Sequence, residues 1–301
     1  MSAQPRSQKV EVKTIDGITL RGVLFPVGGQ APIIIMTHGF NCVKEMLLPD
    51  LAEWYQSLGY NALIYDPRSI GDSDGLPRNQ ISPLQQAEDL SDIITYTATL
   101  PNVDARRIVL WGMSFGATVS ACAAAVDRRV KALVMVCPIF SFFQPEKQER
   151  AFAQLVRDRQ SQLRGNEPFT VPPFNAKGEN LIGMGGSGGP GGMEAYTFMN
   201  AVIDRGAPNF RDRITLQTYH KLALFRPKEL LDLVKAPTLM VIPELDDISS
   251  PKEQEEAFDR FEAIKELYLA KGKGHLTVLS GEGSKKIWQA MVDFTRKSIQ
   301  E

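Results

Sequence analysis

The chain has 301 residues, and its 34 Lys and Arg residues nearly balance its 35 Asp and Glu residues, which gives a formal net charge of −1. Hydrophobic residues at 43% and charged residues at 23% are close to the averages of globular proteins, which excludes a disordered or fibrous chain. The balanced charge argues against a protein that binds nucleic acid through its electrostatic field. No apolar run reaches the about 18–20 residues that a membrane span needs, so no membrane association is expected.

Strand and helix patterns alternate in the first 137 residues. Residues 9–25 predict a hairpin, because apolar residues alternate on both sides of the turn signal Asp16-Gly17. The runs that follow are apolar on both faces, as in strands buried inside a parallel sheet, and helix patterns separate them. The predicted strands are 31–37, 61–65, 108–111 and 130–137, and the predicted helices are 51–58, one that follows Ser82 as the N-cap of a capping box, and 115–126.

The alternation stops between about residues 139 and 235 and then resumes. The interruption contains a predicted helix at 144–164, and the resumed pattern predicts strands at 238–242 and 267–270 and helices at 251–261 and 284–298. We therefore predict an α/β fold with a mostly parallel central sheet, helices on both faces and an inserted helical cap. The predicted core consists of residues 1–138 and 236–301, and the predicted cap of residues 139–235.

The segment Gly112-Met113-Ser114-Phe115-Gly116 matches the G-x-S-x-G nucleophile elbow in the context that this motif needs. A buried strand precedes it and a helix rich in small residues follows, so Ser114 is expected on a sharp turn with its hydroxyl in a cleft. Glycines are expected on either side because side chains there would collide with the neighbouring strand and helix. Ser114 is therefore the candidate nucleophile.

A serine hydroxyl is a weak nucleophile and needs a neighbouring base, which is usually histidine. The sequence has three histidines. In the fold that carries this elbow the chain order is nucleophile, acid, base, which favours His275 in the glycine-rich loop after the last strand. His38 directly follows a central strand and His220 lies in the predicted cap, and for both a structural role is the favoured interpretation.

A carboxylate that orients the imidazole should follow the strand at 238–242. Three candidates stand there, Glu244, Asp246 and Asp247, and the pattern by itself leaves the choice open.

An oxyanion hole needs two backbone N–H groups, one from the residue after the nucleophile and one from the loop after the early strand. Phe115 and Phe40 occupy these two positions, so we predict that their N–H groups form the hole. His38-Gly39 would then shape the loop that carries Phe40.

Five motifs together resemble the α/β-hydrolase superfamily, in particular its dienelactone-hydrolase-like branch, over residues 9–137 and 236–300. They are Thr37-His38-Gly39-Phe40, the segment 66–75, the elbow 112–116, Asp246 and Gly274-His275. The capped architecture and the Met-Glu-Ala-Tyr segment after the cap glycines further resemble fungal α/β-hydrolases of polyketide clusters, including the polyketide transferase group. The resemblance favours Asp246 over Asp247 as the acid. One departure from the superfamily is Pro67-Arg68-Ser69, where Arg-Gly is usual.

The motifs and the resemblance together predict a serine-dependent acyl hydrolase or acyltransferase that uses Ser114, Asp246 and His275. The substrate would be an ester or thioester of a small, hydrophobic acyl or polyketide-like molecule, and an acyl-enzyme would form on Ser114. The same scaffold could instead serve cyclisation, elimination or C–C bond cleavage, with the triad acting as a base. A binding module without catalysis is the least favoured alternative, because every member of the triad is present.

No cofactor and no metal are expected. The three cysteines form no Cys-x-x-Cys pair, and the one match to the dinucleotide fingerprint, at 183–188, has no strand before it. Seven of the ten residues 183–192 are glycine, so we predict a mobile lid edge beside the cleft, with a remote surface loop as the alternative. The first residues are polar and contain no apolar signal region, which favours a cytoplasmic protein.

Two residue classes stand out in the predicted cap. Its aromatic side chains are expected to form either a small core of the cap or the lining of a substrate tunnel, and they are Phe142, Phe143, Phe152, Phe169, Phe174, Tyr196, Phe198 and Phe210. Its arginines are expected to form a solvated helix face, with recognition of an acidic acyl carrier protein as the alternative, and they are Arg150, Arg157, Arg159 and Arg164.

Overall fold

The computed structural model describes residues 6–180, 182, 190–204, 207 and 209–300. The strands are β1 (Gln8–Lys13), β2 (Thr19–Phe25), β3 (Ala31–Thr37), β4 (Asn61–Tyr65), β5 (Val103–Met113), β6 (Val130–Val136), β7 (Thr170–Val171), β8 (Ile214–Thr215), β9 (Thr238–Pro243) and β10 (Lys265–Ala270). The helices are α1 (Leu48–Ser57), α2 (Pro83–Ala98), α3 (Phe115–Val126), α4 (Pro145–Leu163), α5 (Pro190–Asp204), α6 (Leu216–Leu224), α7 (Pro251–Asp259) and α8 (Ser284–Ser298), with a 3₁₀ helix at Pro227–Leu233.

Eight strands form one sheet in the order β1-β2-β4-β3-β5-β6-β9-β10. The six strands from β4 to β10 in this order pair in parallel, and β1 and β2 add an antiparallel edge. The prediction of a mostly parallel central sheet is therefore confirmed. β7 and β8 form a separate two-stranded ribbon.

The sheet is covered on both faces because side chains of a strand alternate between them. In β3, Ile33 and Ile35 pack into one apolar cluster with α2 and α3, whereas Ile34 and Met36 pack into the other with α1 and α8. Strands that are buried on both faces are nearly continuous apolar runs, which is the pattern that β3 and β4 show apart from Thr37 and Asn61.

The predicted elements are present, and the clearest differences are at β5, at α1 and at the N-cap of α2. β5 begins at Val103 rather than at residue 108, because its polar first half pairs with β3 only across a shift in register. α1 begins at Leu48, three residues earlier than predicted. Ser82 is the N-cap of α2 as predicted, but its side chain makes no capping hydrogen bond, so the predicted capping box is wrong.

The segment between residues 139 and 235, here called the inserted segment, leaves the sheet after β6 and returns at β9, although these strands are neighbours. It contains α4 to α6, the short ribbon and the 3₁₀ helix. Its buried side chains, Phe142 and Tyr219 among them, join the apolar cluster on the α2 and α3 face. The division into a core and a cap stays a prediction. Among the helices of the described residues, none is long and apolar enough to span a membrane.

Asn61, the first residue of β4, is a fully buried amide that joins the β2–β3 loop, the first residue of β3 and the α2–β5 loop. Its Oδ1 accepts hydrogen bonds from the Val27 N–H at 3.0 Å and the Asn102 side chain at 2.7 Å. Its Nδ2 donates to the backbone oxygens of Asn102 at 2.8 Å and Ala31 at 3.2 Å.

We expect Asn61→Ala to lower the free energy of unfolding by about 2–3 kcal/mol, because it leaves several buried polar groups without partners. Urea denaturation measures this change. The control is Asn166→Ala on the surface, which should change stability by less than about 0.5 kcal/mol. Equal stabilities of the two variants would contradict the role of Asn61.

Candidate active site

Ser114 lies on the turn between β5 and α3 with φ 55° and ψ −120°, a conformation that side-chain-bearing residues rarely adopt. The turn is fixed by the Ser114 N–H, which donates to the Val136 carbonyl at 2.8 Å. A Cβ at Gly112 would collide with the Gly116 backbone, and a Cβ at Gly116 would collide with the carbonyl groups that end β3. The glycines of the motif are therefore required by close backbone approach, as the sequence indicates.

Three of the candidate residues form a continuous hydrogen-bonded chain. The Ser114 Oγ lies 2.8 Å from the His275 Nε2, and the His275 Nδ1 lies 2.8 Å from the Asp246 Oδ2. His275 follows β10 and Asp246 follows β9, so parallel strands deliver both to the edge of the sheet where Ser114 lies. Both side chains are almost fully buried.

The other two carboxylates after β9 belong to exposed residues. Asp247 is exposed, and Glu244 accepts a hydrogen bond from the Gly272 N–H at 2.8 Å. Of the three carboxylates that the sequence offered, the structure brings only Asp246 to the imidazole.

The Asp246 carboxylate is held by donors at the beginning of α7. The backbone N–H groups of Ile248 and Ser249 donate to Oδ1 at 3.0 and 2.8 Å, and the Gln254 side chain donates to Oδ2 at 3.0 Å. These bonds aim the carboxylate at His275. Sequence analysis missed Gln254, which is fully buried; a polar residue on the inner face of α7 was the available signal.

Two opposing effects act on the pKa of His275. Burial lowers it by disfavouring the imidazolium, but the groups around the ring outweigh burial, and the pKa lies well above its ordinary value of 6.5. The groups that raise it are Cys137 and Asp246. Because burial raises the pKa of Cys137, that thiol is neutral at neutral pH, so we assign the upward shift to the Asp246 carboxylate.

Cys137 was not singled out by sequence analysis. It follows β6 with φ 41°, and its Sγ lies 3.9 Å from the His275 Nε2 and 3.6 Å from the His275 carbonyl oxygen. Among the described residues, Cys137, Asp246 and His275 are also the one group that could offer three metal ligands. Both nitrogens of His275 already face Asp246 and Ser114, so the arrangement suits proton transfer better than a cation.

His38 is a buried structural residue. Its Nδ1 accepts a hydrogen bond from the Gly39 N–H at 2.6 Å, so the proton lies on Nε2, which donates to the Met46 carbonyl at 2.5 Å. Burial lowers the pKa of His38 to about 4, which keeps the ring neutral. His220 is a half-buried residue of α6.

The two residues predicted to form the oxyanion hole both line the cavity at Ser114. Phe115 is the first residue of α3, and Phe40 lies in the turn closed by the Cys42 N–H and the Gly39 carbonyl at 3.2 Å. Their rings pack edge to face with centroids 5.5 Å apart. The turn is close to the nucleophile, since a Cβ at Gly39 would stand 3.5 Å from the Ser114 Cβ.

The segment 66–75 is hydrogen-bonded to the chain just after this turn. The buried Asp66 carboxylate accepts hydrogen bonds from the Lys44 N–H at 2.8 Å and the Lys44 Nζ at 2.7 Å. At the unusual Pro67-Arg68-Ser69, Arg68 forms ion pairs with Asp89 and with Asp16 at 2.9 Å. Arg68 therefore joins α2 to the hairpin turn, and Ser69 takes the left-handed backbone conformation, with φ 65°.

The cavity above Ser114 is small, with a volume of ≈ 50 Å³, and its walls are aliphatic and aromatic apart from the candidate catalytic groups, His38 and Cys42. Three of the aromatic residues singled out in the inserted segment line it: Phe142, Phe174 and Phe198. The others pack elsewhere; for example, Phe143 packs on Phe152. The lining of a substrate tunnel stays a prediction for the three residues at the cavity.

Two further features of the inserted segment were predicted from the sequence, the arginines and the glycine-rich stretch. The four arginines of interest are exposed, and Arg150 and Arg157 line a separate groove of ≈ 720 Å³ beside α4. Of the glycine-rich stretch 183–192, residues 183–189 lie outside the described residues. Residues 190–192 form the beginning of α5.

Comparison with known proteins gives close matches over most of the chain. A thiohydrolase from Eupenicillium brefeldianum is 46% identical over 276 residues, covering 91% of this chain and 89% of the relative. Polyketide transferase ATR5 from Stachybotrys chlorohalonatus is 37% identical and covers 97% of this chain and 98% of its own. These matches confirm the resemblance to fungal polyketide transferases.

Two solved structures share the fold closely. The structure of DcsB in complex with its substrate analogue superposes with a TM-score of 0.95 at 69% identity, covering 97% of this chain and 99% of DcsB. The α/β-hydrolase GrgF from Penicillium superposes with a TM-score of 0.87 at 37% identity over 99% of this chain and 100% of GrgF. The family model of the serine aminopeptidases, S33, matches residues 29–280. The chain thus belongs to this S33 family of α/β-hydrolases.

Proposed function

We propose that this protein is a serine acyl hydrolase or acyltransferase, which takes a hydrophobic polyketide-like acyl group from a thioester or ester and carries it on Ser114. The observation that supports the proposal is the hydrogen-bonded chain from the Ser114 Oγ through His275 to the Asp246 carboxylate. This is the arrangement that a serine nucleophile needs, a base in contact and an acid that orients the base.

In the first half of the proposed reaction, the Ser114 Oγ attacks the acyl carbonyl carbon while the His275 Nε2 accepts the hydroxyl proton. The negative charge that develops on the carbonyl oxygen is stabilised by the N–H groups of Phe40 and Phe115. Asp246 stabilises the imidazolium, which then gives its proton to the departing thiolate or alkoxide. The product of this half is an ester on Ser114.

In the second half, His275 takes a proton from the acceptor, which attacks the ester carbonyl carbon. The bond from that carbon to the Ser114 Oγ then breaks, and the His275 imidazolium returns the proton to the Ser114 Oγ. Water as acceptor gives hydrolysis, and an alcohol, amine or carbon nucleophile gives acyl transfer. The relatives named thiohydrolase and polyketide transferase differ in this respect, and their names support acyl chemistry on polyketides for this chain as well.

The chemistry of the cavity supports an apolar acyl group. Phe142, Phe174 and Phe198 surround Ser114 with carbon surface and offer no charge to a substrate. The proposed donor is a small-molecule thioester or ester, and the alternative donor is an acyl carrier protein that holds the acyl group as a thioester. A thioester is also the better electrophile for a neutral serine–histidine pair.

A fluorophosphonate should label Ser114 covalently, and Ser114→Ala should lose the label and nearly all turnover of an N-acetylcysteamine thioester, by about 10⁴-fold or more. Peptide mass spectrometry locates the label. Ser120→Ala is the matched control, because Ser120 is a buried serine of α3 whose hydroxyl has no partner among the described residues. If Ser114→Ala keeps product formation while His275→Ala abolishes it, the covalent route is wrong. That result would favour the alternative, in which the triad acts as a base in cyclisation, elimination or C–C bond cleavage.

The pH dependence tests the assignment of the acid. Only neutral His275 can accept the Ser114 proton, so kcat/KM should rise with pH through the raised pKa of His275. Asp246→Asn removes the negative charge, so that the pKa falls, the acidic limb moves to lower pH, and kcat drops by about 10⁴-fold. Asp247→Asn, the control on the neighbouring exposed carboxylate, should keep both the limb and the rate. If the acidic limb of the kcat/KM profile of Asp246→Asn stays at the wild-type pH, the assignment of Asp246 as the acid is contradicted.

A further inference from the structure

Two buried asparagines lie next to the predicted oxyanion hole, and the proposed mechanism does not use either side chain. Asn41 follows Phe40 in the turn 39–42, here called the oxyanion turn, and Asn79 lies in the loop between β4 and α2. Their exposed fractions are 2% and 5%. Both adopt the left-handed conformation, with φ 57° for Asn41 and 55° for Asn79, which asparagine tolerates better than other side-chain-bearing residues.

The two amides form a chain of hydrogen bonds that ends in the inserted segment. The Asn79 Nδ2 donates to the Asn41 Oδ1 at 2.9 Å, and the Asn41 Nδ2 donates to the backbone oxygen of Arg211 at 2.9 Å. Arg211 lies 170 residues away along the chain. The oxyanion turn is therefore bonded through a side chain to the inserted segment.

The backbone N–H and the backbone carbonyl of Asn79 each form a hydrogen bond as well. Its N–H donates to the Ser69 carbonyl at 2.9 Å, and its carbonyl accepts from the Thr215 N–H at 3.1 Å. Ser69 belongs to the loop after β4, whereas Thr215 belongs to the inserted segment. Asn79 thus joins three parts of the molecule: the β4 loop, the inserted segment and the oxyanion turn.

A contact between aromatic rings also joins the oxyanion turn to the inserted segment. The Phe40 ring packs against Tyr219 of α6 with centroids 6.4 Å apart, and the Tyr219 ring is fully buried. Close to it, the Ile81 N–H donates to the Thr218 Oγ1 at 2.9 Å. The inserted segment therefore touches the oxyanion turn at Phe40 itself and at the residue that follows it.

We infer that Asn41 and Asn79 are positioning residues that couple the inserted segment to the oxyanion hole, so that the segment's placement fixes the orientation of the Phe40 N–H. The inference rests on the proposed function, since it assumes that this N–H receives the oxyanion. An oxyanion hole works through preorganised donors, and a displacement of about 1 Å at a reacting group can cost about 100-fold in rate.

The coupling also explains why both residues are asparagine. Glycine adopts the left-handed conformation more readily, but it has no amide with which to bond Arg211 or the partner asparagine. Aspartate has the same shape as asparagine, but its carboxylate has no N–H to donate to the Arg211 carbonyl. Asn41 combines the backbone conformation with both a donor and an acceptor, and Asn79 combines it with a donor.

The test compares Asn41→Gly, Asn79→Gly and Asn41→Asp with the wild-type protein. Each should lower kcat on a thioester by about 10- to 100-fold with little change in KM, because the substrate's ground state does not use the oxyanion hole. The affinity for a boronic acid, which forms a tetrahedral adduct with the serine, should fall by the same factor as kcat. Asn41→Asp keeps the side-chain oxygen that accepts from Asn79 and lacks the N–H that donates to Arg211. The decrease in kcat of this variant therefore measures the bond to Arg211 alone.

Asn61→Ala is the matched control, because Asn61 is a buried asparagine at the opposite, amino-terminal edge of the parallel strands. It should lose stability but keep kcat and boronic acid affinity. If the Asn41 and Asn79 variants behave as Asn61→Ala does, with lower stability alone, the two residues are structural and the coupling is wrong.

Fluorophosphonate labelling separates this failure from a failure of the proposed function. A wild-type protein labelled at Ser114, with variants that label and turn over at the wild-type rate, overturns the coupling alone. A wild-type protein that is not labelled at Ser114 overturns the proposed function and the coupling with it. Slower labelling and turnover in all three variants, with intact wild-type labelling, supports both.

Discussion

The structure of the candidate site depends on the backbone conformation of Ser114. A residue with a side chain at φ 55° and ψ −120° costs about 1–3 kcal/mol, and this cost persists only where the surroundings fix it. Here the Ser114 N–H is bonded to β6, and its carbonyl accepts from the Ala117 N–H at 3.1 Å in α3. The conformation directs the hydroxyl away from the sheet, and Gly112 and Gly116 provide the space for it.

The parallel sheet then brings the other groups to the same place. Parallel strands end at a common edge, so loops after β3, β9 and β10 all meet the turn after β5, although they lie far apart along the chain. Asp246 and His275 reach Ser114 for this reason. The chemistry of acyl transfer needs a nucleophile, a base and an acid in contact, and a sheet of this topology provides the contact without any local sequence relation among them.

The sequence was sufficient to predict the parts that depend on local pattern. β3, β4 and α3 have the predicted bounds because buried strands and small-residue helices leave a clear pattern of apolar residues. Ser114 and His275 were identifiable because the elbow and the glycine-rich loop are local motifs. The local pattern left three carboxylates after β9 open. The family resemblance favoured Asp246, and the structure places that carboxylate against the imidazole.

Other features could not be predicted, because they depend on contacts between distant segments. Gln254 reaches Asp246 through the packing of α7, and Cys137 reaches His275 through the pairing of β6 with β9. The bond between Asn41 and Arg211 spans 170 residues, and neither residue has a local pattern that indicates the other. The aromatic residues of the inserted segment likewise divide between lining and core only once the helices are packed.

The acyl-enzyme on Ser114 is the central claim, and direct trapping tests it most directly. The protein would be mixed with a medium-chain acyl N-acetylcysteamine thioester, quenched in acid within milliseconds to seconds, and digested for peptide mass spectrometry. We expect an acyl mass increment on the peptide that contains Ser114, which appears before product and decays at the turnover rate. Product formation at the full rate with no acyl group on Ser114 at any time point would contradict it.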